Sequence, residues 1–215
     1  MTEPAGGDEG LTAYVEAIEA VFRTRRGKDH ALSPRDFALA KSWFRAGIPL
    51  ATVLVGVDLA FETDPNVSSL SYCRRRVEDI APPSSRHAGA EGERTSILDL
   101  QETLAALKER LLELPRRCFA LPLVKVGEVQ DLVAVAAKPN WDYLRGKLRE
   151  IDAEVEASAL DALAPEEAAD VRAEATRAAE RQRGRVDAAS LDQAVGRLIR
   201  QRARERLKIP RVGLV

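Results

Sequence analysis

Three consecutive helix signatures between residues 33 and 80 restrict this chain more than any other feature. The first opens at Ser33-Pro34-Arg35-Asp36. A Ser hydroxyl can accept from an unpaired amide, Pro suits the first turn, and an Asp there faces the positive helix end. Phe37, Ala40, Lys41 and Phe44, with Trp43 beside them, predict an aromatic-rich buried stripe that ends at Gly47, a left-handed stop. Pro49 opens the second signature, in which Leu50, Val53, Leu54, Val57 and Phe61 recur at three-to-four spacing. Asp64-Pro65-Asn66 breaks that run. Ser68 or Ser69 then caps a third helix with Leu70, Cys73, Val77 and Ile80 as its apolar edge and Tyr72 beside them, while Arg74, Arg75 and Arg76 occupy the other faces.

The remainder of the 215 residues carries the same helical grammar. Ala, Leu, Arg and Glu dominate, and Val and Ile rarely alternate with polar residues as strands require. The fold class expected is all-α: an N-terminal module of three or four helices and a C-terminal helical bundle or long helical hairpin. From Thr12 onward, Val15, Ile18, Val21 and Phe22 predict an amphipathic helix closed by the basic turn Arg23, Arg25, Arg26 and Lys28. The Pro-, Ser- and Gly-rich stretch 81–95 reads as a linker. Beyond it, Ile97, Leu100, Leu104, Leu107 and Leu111 repeat at nearly heptad spacing until Pro115. Residues 116–122 read as irregular or a short turn, 121–126 can be extended, and 128–137 fit another apolar helix. Trp141 begins a long helix, Pro165 starts a further one, and Asp187 or Ser190 starts the last, whose buried stripe is Leu191, Ala194, Val195, Leu198 and Ile199. The domains expected are therefore a tail (1–10), an N-terminal domain (11–80), a linker (81–95), a C-terminal domain (96–208) and an apolar tail (209–215).

Within residues 33–80, the order of capped helix with a central Trp, glycine corner, apolar helix, polar turn and Tyr-bearing helix resembles the C-terminal domain of DnaD-like replication-initiation proteins. In that family the last helix carries a Tyr followed by apolar residues four, five and eight positions on, the eighth usually Trp. Here Tyr72 is followed by Arg76, Val77 and Ile80, so two of the three positions are apolar and Ile replaces the Trp. The resemblance covers about a quarter of the chain and implies a nucleic-acid-associated, replication-accessory role.

Chemical motifs point elsewhere than catalysis. His30 and His87 stand in loop-like sequence without an adjacent nucleophile elbow, and Cys73 and Cys118 are far apart with no CxxC. Gly89 and Gly92 precede no Lys-Ser/Thr, and carboxylate pairs such as Glu150 and Glu154 lack a histidine at ligand spacing. The expectation is a non-enzyme with no cofactor and no metal. With no basic-then-apolar leader and no membrane-length apolar run, a cytoplasmic location and no membrane partner are expected.

Charge supplies the candidate binding residues. The formal net charge is −1, yet acidic residues crowd 142–170 and basic ones crowd 172–211. Antiparallel helices laying one face against the other account for that separation without a partner. A nucleic-acid surface accounts for it differently: Arg74, Arg75 and Arg76, joined by Arg23, Arg25 and Arg26, contact phosphates, and Arg200, Arg202, Arg204 and Arg206 form a second basic strip. DNA is the partner on that reading. The rival is a protein-interaction adaptor that docks on another protein or a second copy through the Leu-rich 97–112 helix or the apolar tail. Arginines gathered on one exposed face favour the first reading, and an exposed Leu/Val patch favours the second.

Overall fold

The computed structural model describes residues 6–27, 32–82, 85, 96–135 and 140–212. Among them are nine α-helices and no β-strand: α1 (Gly6–Arg26), α2 (Pro34–Arg45), α3 (Leu50–Thr63), α4 (Leu70–Ile80), α5 (Ile97–Leu112), α6 (Arg116–Val135), α7 (Trp141–Ala159), α8 (Pro165–Glu180) and α9 (Ala188–Arg206). The all-α expectation holds. His30, His87 and most of the 81–95 stretch lie outside the described residues.

The chain packs as two compact units, one of Met1–Gly89 with Glu174–Leu198 and the other of Ala90–Ala173 with Ile199–Val215. This corrects the single C-terminal domain 96–208, because 174–198 belongs with the first unit. The reason is polar as well as apolar. Arg181 donates from Nε to Asp58 Oδ2 at 2.6 Å, and Arg197 donates to the Ile80 carbonyl (3.0 Å) and to Thr52 Oγ1 (2.8 Å). These partners lie more than a hundred residues away, so no local pattern could announce them.

In the first unit α3 is the central element. Every residue from Ala51 to Phe61 is buried, so the expected one-sided stripe is instead a helix enclosed all round. Gly56 permits its closest approach: a Cβ there would stand 2.7 Å from Val77 Cγ2, 2.8 Å from Val77 Cα and 2.9 Å from Val77 N. The backbones of α3 and α4 thus meet where only hydrogen fits. Around them Tyr14 stacks edge-on to Phe44 and Phe22 to Phe61, and the Tyr14 hydroxyl donates to the Ile48 carbonyl at 2.8 Å.

The α2 boundaries follow their signals. Ser33 Oγ accepts from the Asp36 amide at 3.2 Å. At the other end Gly47, with φ +69°, allows the Gly47 amide to reach the Phe44 carbonyl and the Ile48 amide to reach that of Trp43, both at 3.0 Å. The buried face differs from expectation. It runs Asp36, Ala40, Trp43, while Phe37 is exposed. Asp36 turns the helix inward because its carboxylate also serves the next helix but one. Its Oδ1 accepts the Leu70 amide at 2.8 Å, capping α4 in place of the Ser69 hydroxyl, which makes no cap bond.

In the second unit α6 packs against both α5 and α7. Ser96 and Asp99 close a reciprocal capping box at the start of α5. Leu100, Leu104, Leu107 and Leu111 face Phe119, Val126, Val129 and Val133 of α6, and Leu144, Leu148, Ile151 and Val155 of α7 complete the core. Of the two readings of the periodic leucines, core or interface, the core one holds for Leu100, Leu104, Leu107 and Leu111, leaving Leu98 and Leu112 exposed on that helix. A second correction concerns 116–126, neither irregular nor extended but the first half of α6, with Pro122 buried inside it. One lost amide and a crowded carbonyl cost about 3 kcal/mol. Burial of Phe119, Val126, Val129 and Val133 along one side of a continuous helix offsets that cost.

The described part of the apolar tail, 209–212, docks on the body of its unit. Ile209 and Val212 are buried in the second unit's core. Lys208 takes a left-handed conformation (φ 51°) at the end of α9, and the Ile209 amide returns to the Arg204 carbonyl at 3.2 Å. No described helix is long and apolar enough to cross a membrane.

Candidate nucleic-acid interface

The ten arginines nominated from sequence separate into groups that do different work. Arg204 leaves the set. It is 2% exposed, and its guanidinium reaches Asp152 Oδ1 at 2.7 Å, the Ile209 carbonyl at 3.2 Å and the Pro210 carbonyl. Glu156 Oε1 stands 3.9 Å from its Nη1. A phosphate cannot reach a charge held under its own chain. The strip of Arg200, Arg202, Arg204 and Arg206 also fails on geometry, since alternate residues of a helix fall on nearly opposite faces. Arg200 is half-buried, Arg202 pairs with Glu205 at 2.8 Å, and Arg206 is exposed with a partner of its own.

The basic last turn of α1 is divided as well. Arg25 donates from Nε to Asp58 Oδ1 at 2.5 Å, Arg26 lies over the Phe22 ring with 5.8 Å to its centroid, and Arg23 stands 3.6 Å from Glu19. Asp58, 1% exposed, accepts from Arg25 and Arg181 together. Burial alone would raise its pKa, but the two guanidinium hydrogen bonds and their charges outweigh burial and hold it below the usual carboxylate range. A signal for this was present in the sequence: Asp58 is the one charged residue within the apolar run 51–61, and a buried carboxylate needs cationic partners.

What remains together is the outer face of α4. Leu70, Cys73, Val77 and Ile80 point into the core, as expected. Tyr72, expected beside that edge, instead projects outward at 64% exposed. Arg75 and Arg76 follow at three and four residues, the positions that share its helix face, Arg75 exposed and Arg76 half-buried. Arg74 is exposed on the flank and pairs with Glu78 at 2.7 Å. Arg76 and Asp79 also have partners. An accessible aromatic ring next to guanidinium groups can stack on a base while the cations meet phosphates. The close contact of Gly56 with Val77 and the Asp36 cap fix the helix that presents them.

Burial, aided by the Asp36 carboxylate, pushes the Cys73 thiol up to about 12, far from the reactive thiolate range. No group of three or more His, Cys, Asp or Glu among these residues is placed to hold a metal ion. No family model matches the chain, and no curated protein or solved structure matches it.

Proposed function

We propose that this protein binds nucleic acid through the outer face of α4, in a replication-accessory role, with Tyr72 stacking on an unpaired base and Arg74, Arg75 and Arg76 contacting phosphates. The observation that carries this reading is the exposure of Tyr72 beside Arg75 on a helix locked to the core behind it. The resemblance of residues 33–80 to DnaD-like domains supports the same surface. Such contacts are sequence-tolerant and favour single strands, whose bases are free to stack. The footprint is narrower than ten arginines, because Arg204 is buried and Arg25 is ion-paired to the buried Asp58.

The test is fluorescence anisotropy with labelled single- and double-stranded DNA across a salt series. Affinity should fall linearly on logarithmic axes, by roughly 0.7 per phosphate contact on single strands. Changing Arg74, Arg75 and Arg76 to Ala should flatten that slope by about two. Tyr72→Ala should weaken single-strand binding by about 1–3 kcal/mol with the slope unchanged. Absence of binding at low salt, or binding indifferent to all four residues, refutes the proposal. A second reading, association with protein, is favoured by a different surface on α6.

A further inference from the structure

One side of α6 is apolar and uncovered. Leu121, Val124, Leu132 and Val135 are between 41 and 84% exposed. Their spacings place them with exposed Glu128 in one stripe of the helix, at steps of three, four, four and three. The opposite side, with Phe119, Val126, Val129 and Val133, is already buried in the core. From Leu121 to Val135, fourteen helical rises, the stripe is about 21 Å long, the length of a four-turn helix laid beside it.

Glu128 sits at the middle of the stripe, and its position decides what can cover it. A two-fold axis that uses the whole stripe brings the central residue of each copy against itself, whether the helices run parallel or antiparallel. Two carboxylates would then be desolvated face to face, an arrangement that like-charge repulsion strongly disfavours. Asp131 adds a second exposed acid beside Glu128. Lys125, the nearest base on the helix, is already engaged with Glu154 and lies 3.7 Å from Glu150 of α7. No side-chain hydrogen bond or ion pair among the described residues engages Glu128 or Asp131.

We propose that this face receives an amphipathic helix of another protein, with apolar residues matching the four of α6 and a Lys or Arg at its centre opposite Glu128. The apolar positions supply the burial, and the carboxylate selects the partner's charge while opposing self-pairing. This surface is separate from the α4 face and does not depend on nucleic-acid binding.

The experiment uses the full chain and synthetic helical peptides carrying leucines at steps of three, four, four and three, with Lys, Leu or Glu at the central position. Isothermal titration should show the Lys peptide binding at least tenfold tighter than the Glu peptide. Glu128→Lys should reverse that order. Sedimentation velocity should find the wild type monomeric and Glu128→Leu, whose stripe is uninterrupted, self-associating. Circular dichroism on each variant confirms folding, and Glu128 is exposed, so the substitutions leave the core untouched. Equal binding of the three peptides, no binding of any, or a wild-type dimer broken by Val124→Glu would overturn the proposal. The last result would assign the face to a second copy.

Discussion

Replacing Asp58 with Ala removes one acceptor from between two cations that come from distant parts of the chain. Both guanidiniums donate from Nε, at 2.5 and 2.6 Å, to a carboxylate that is 1% exposed. Deleting one member of a buried ion pair costs about 3–5 kcal/mol, because the remaining charge is stranded. Here Arg25 and Arg181 are 32 and 34% exposed at the side chain and recover part of their hydration, and Arg181 keeps Glu62. The expected loss is therefore about 2–4 kcal/mol, with Asp58→Asn intermediate because it keeps the shape and one acceptor. Urea denaturation measures it as a lowered midpoint at constant slope. Arg25→Met, costly in the wild type, should become nearly neutral once Asp58 is Ala, since it then removes a cation that has lost its Asp58 partner, and Arg181→Met should lose the part of its cost that came from Asp58 while keeping its exposed Glu62 pair. The pH dependence has a definite sign. A depressed carboxylate stabilises fully above its unfolded value of about 3.9 and loses that contribution as pH falls through the lower folded value. The gap between wild type and Asp58→Ala should thus hold from about pH 5 to 8 and close in acid. A loss below about 0.5 kcal/mol at neutral pH, or arginine effects that add in full, would refute the reasoning.

Gly56→Ala should destabilise by about 2 kcal/mol even though Ala favours a helix by about 1 kcal/mol over Gly, since two of the three contacts it meets are α4 backbone atoms. Adding Val77→Ala should relieve only the Cγ2 contact, and a stabilised Gly56→Ala in the same denaturation assay would show that the two helices separate freely. Arg204→Met removes the guanidinium donor from the Ile209 and Pro210 carbonyls and leaves Asp152 with only the Val212 amide at 3.4 Å. It should cost about 3–5 kcal/mol and speed hydrogen exchange at the Ile209 and Val212 amides; unchanged protection there would count against the arginine as the clasp of the C-terminal residues.

Local features of the fold were legible wherever local chemistry decides them. The Ser33 cap, the Gly47 stop, the Ser96 cap and the Pro165 start are all read from a residue and its near neighbours. Pro122 misled because a breaker's cost is local while the burial that offsets it is tertiary. Asp36 reads locally as a first-turn acid, but its bond to the Leu70 amide spans 34 residues. The arginines show the same limit more sharply. Arg75 and Arg204 are alike in their sequence surroundings, yet one lies on an exposed face and the other under the chain's end, and the difference rests on Asp152, far away in sequence. Exposure of Tyr72 could be read from its place one residue before Cys73 on the apolar edge.

Both units are closed by segments made long after the helices they bind. While α1 to α4 emerge from a ribosome, the Ile80 carbonyl and Thr52 must wait for Arg197, 117 residues after Ile80. At ordinary elongation rates that is on the order of ten seconds. The second unit waits similarly, for Leu207, whose carbonyl takes the Arg110 guanidinium, and for Arg204. A nascent chain stopped at the Pro-rich stretch after Ile80 therefore carries four helices but neither Arg181 nor Arg197, and each unit gains its full set of bonds only once its share of the 181–207 segment has been made.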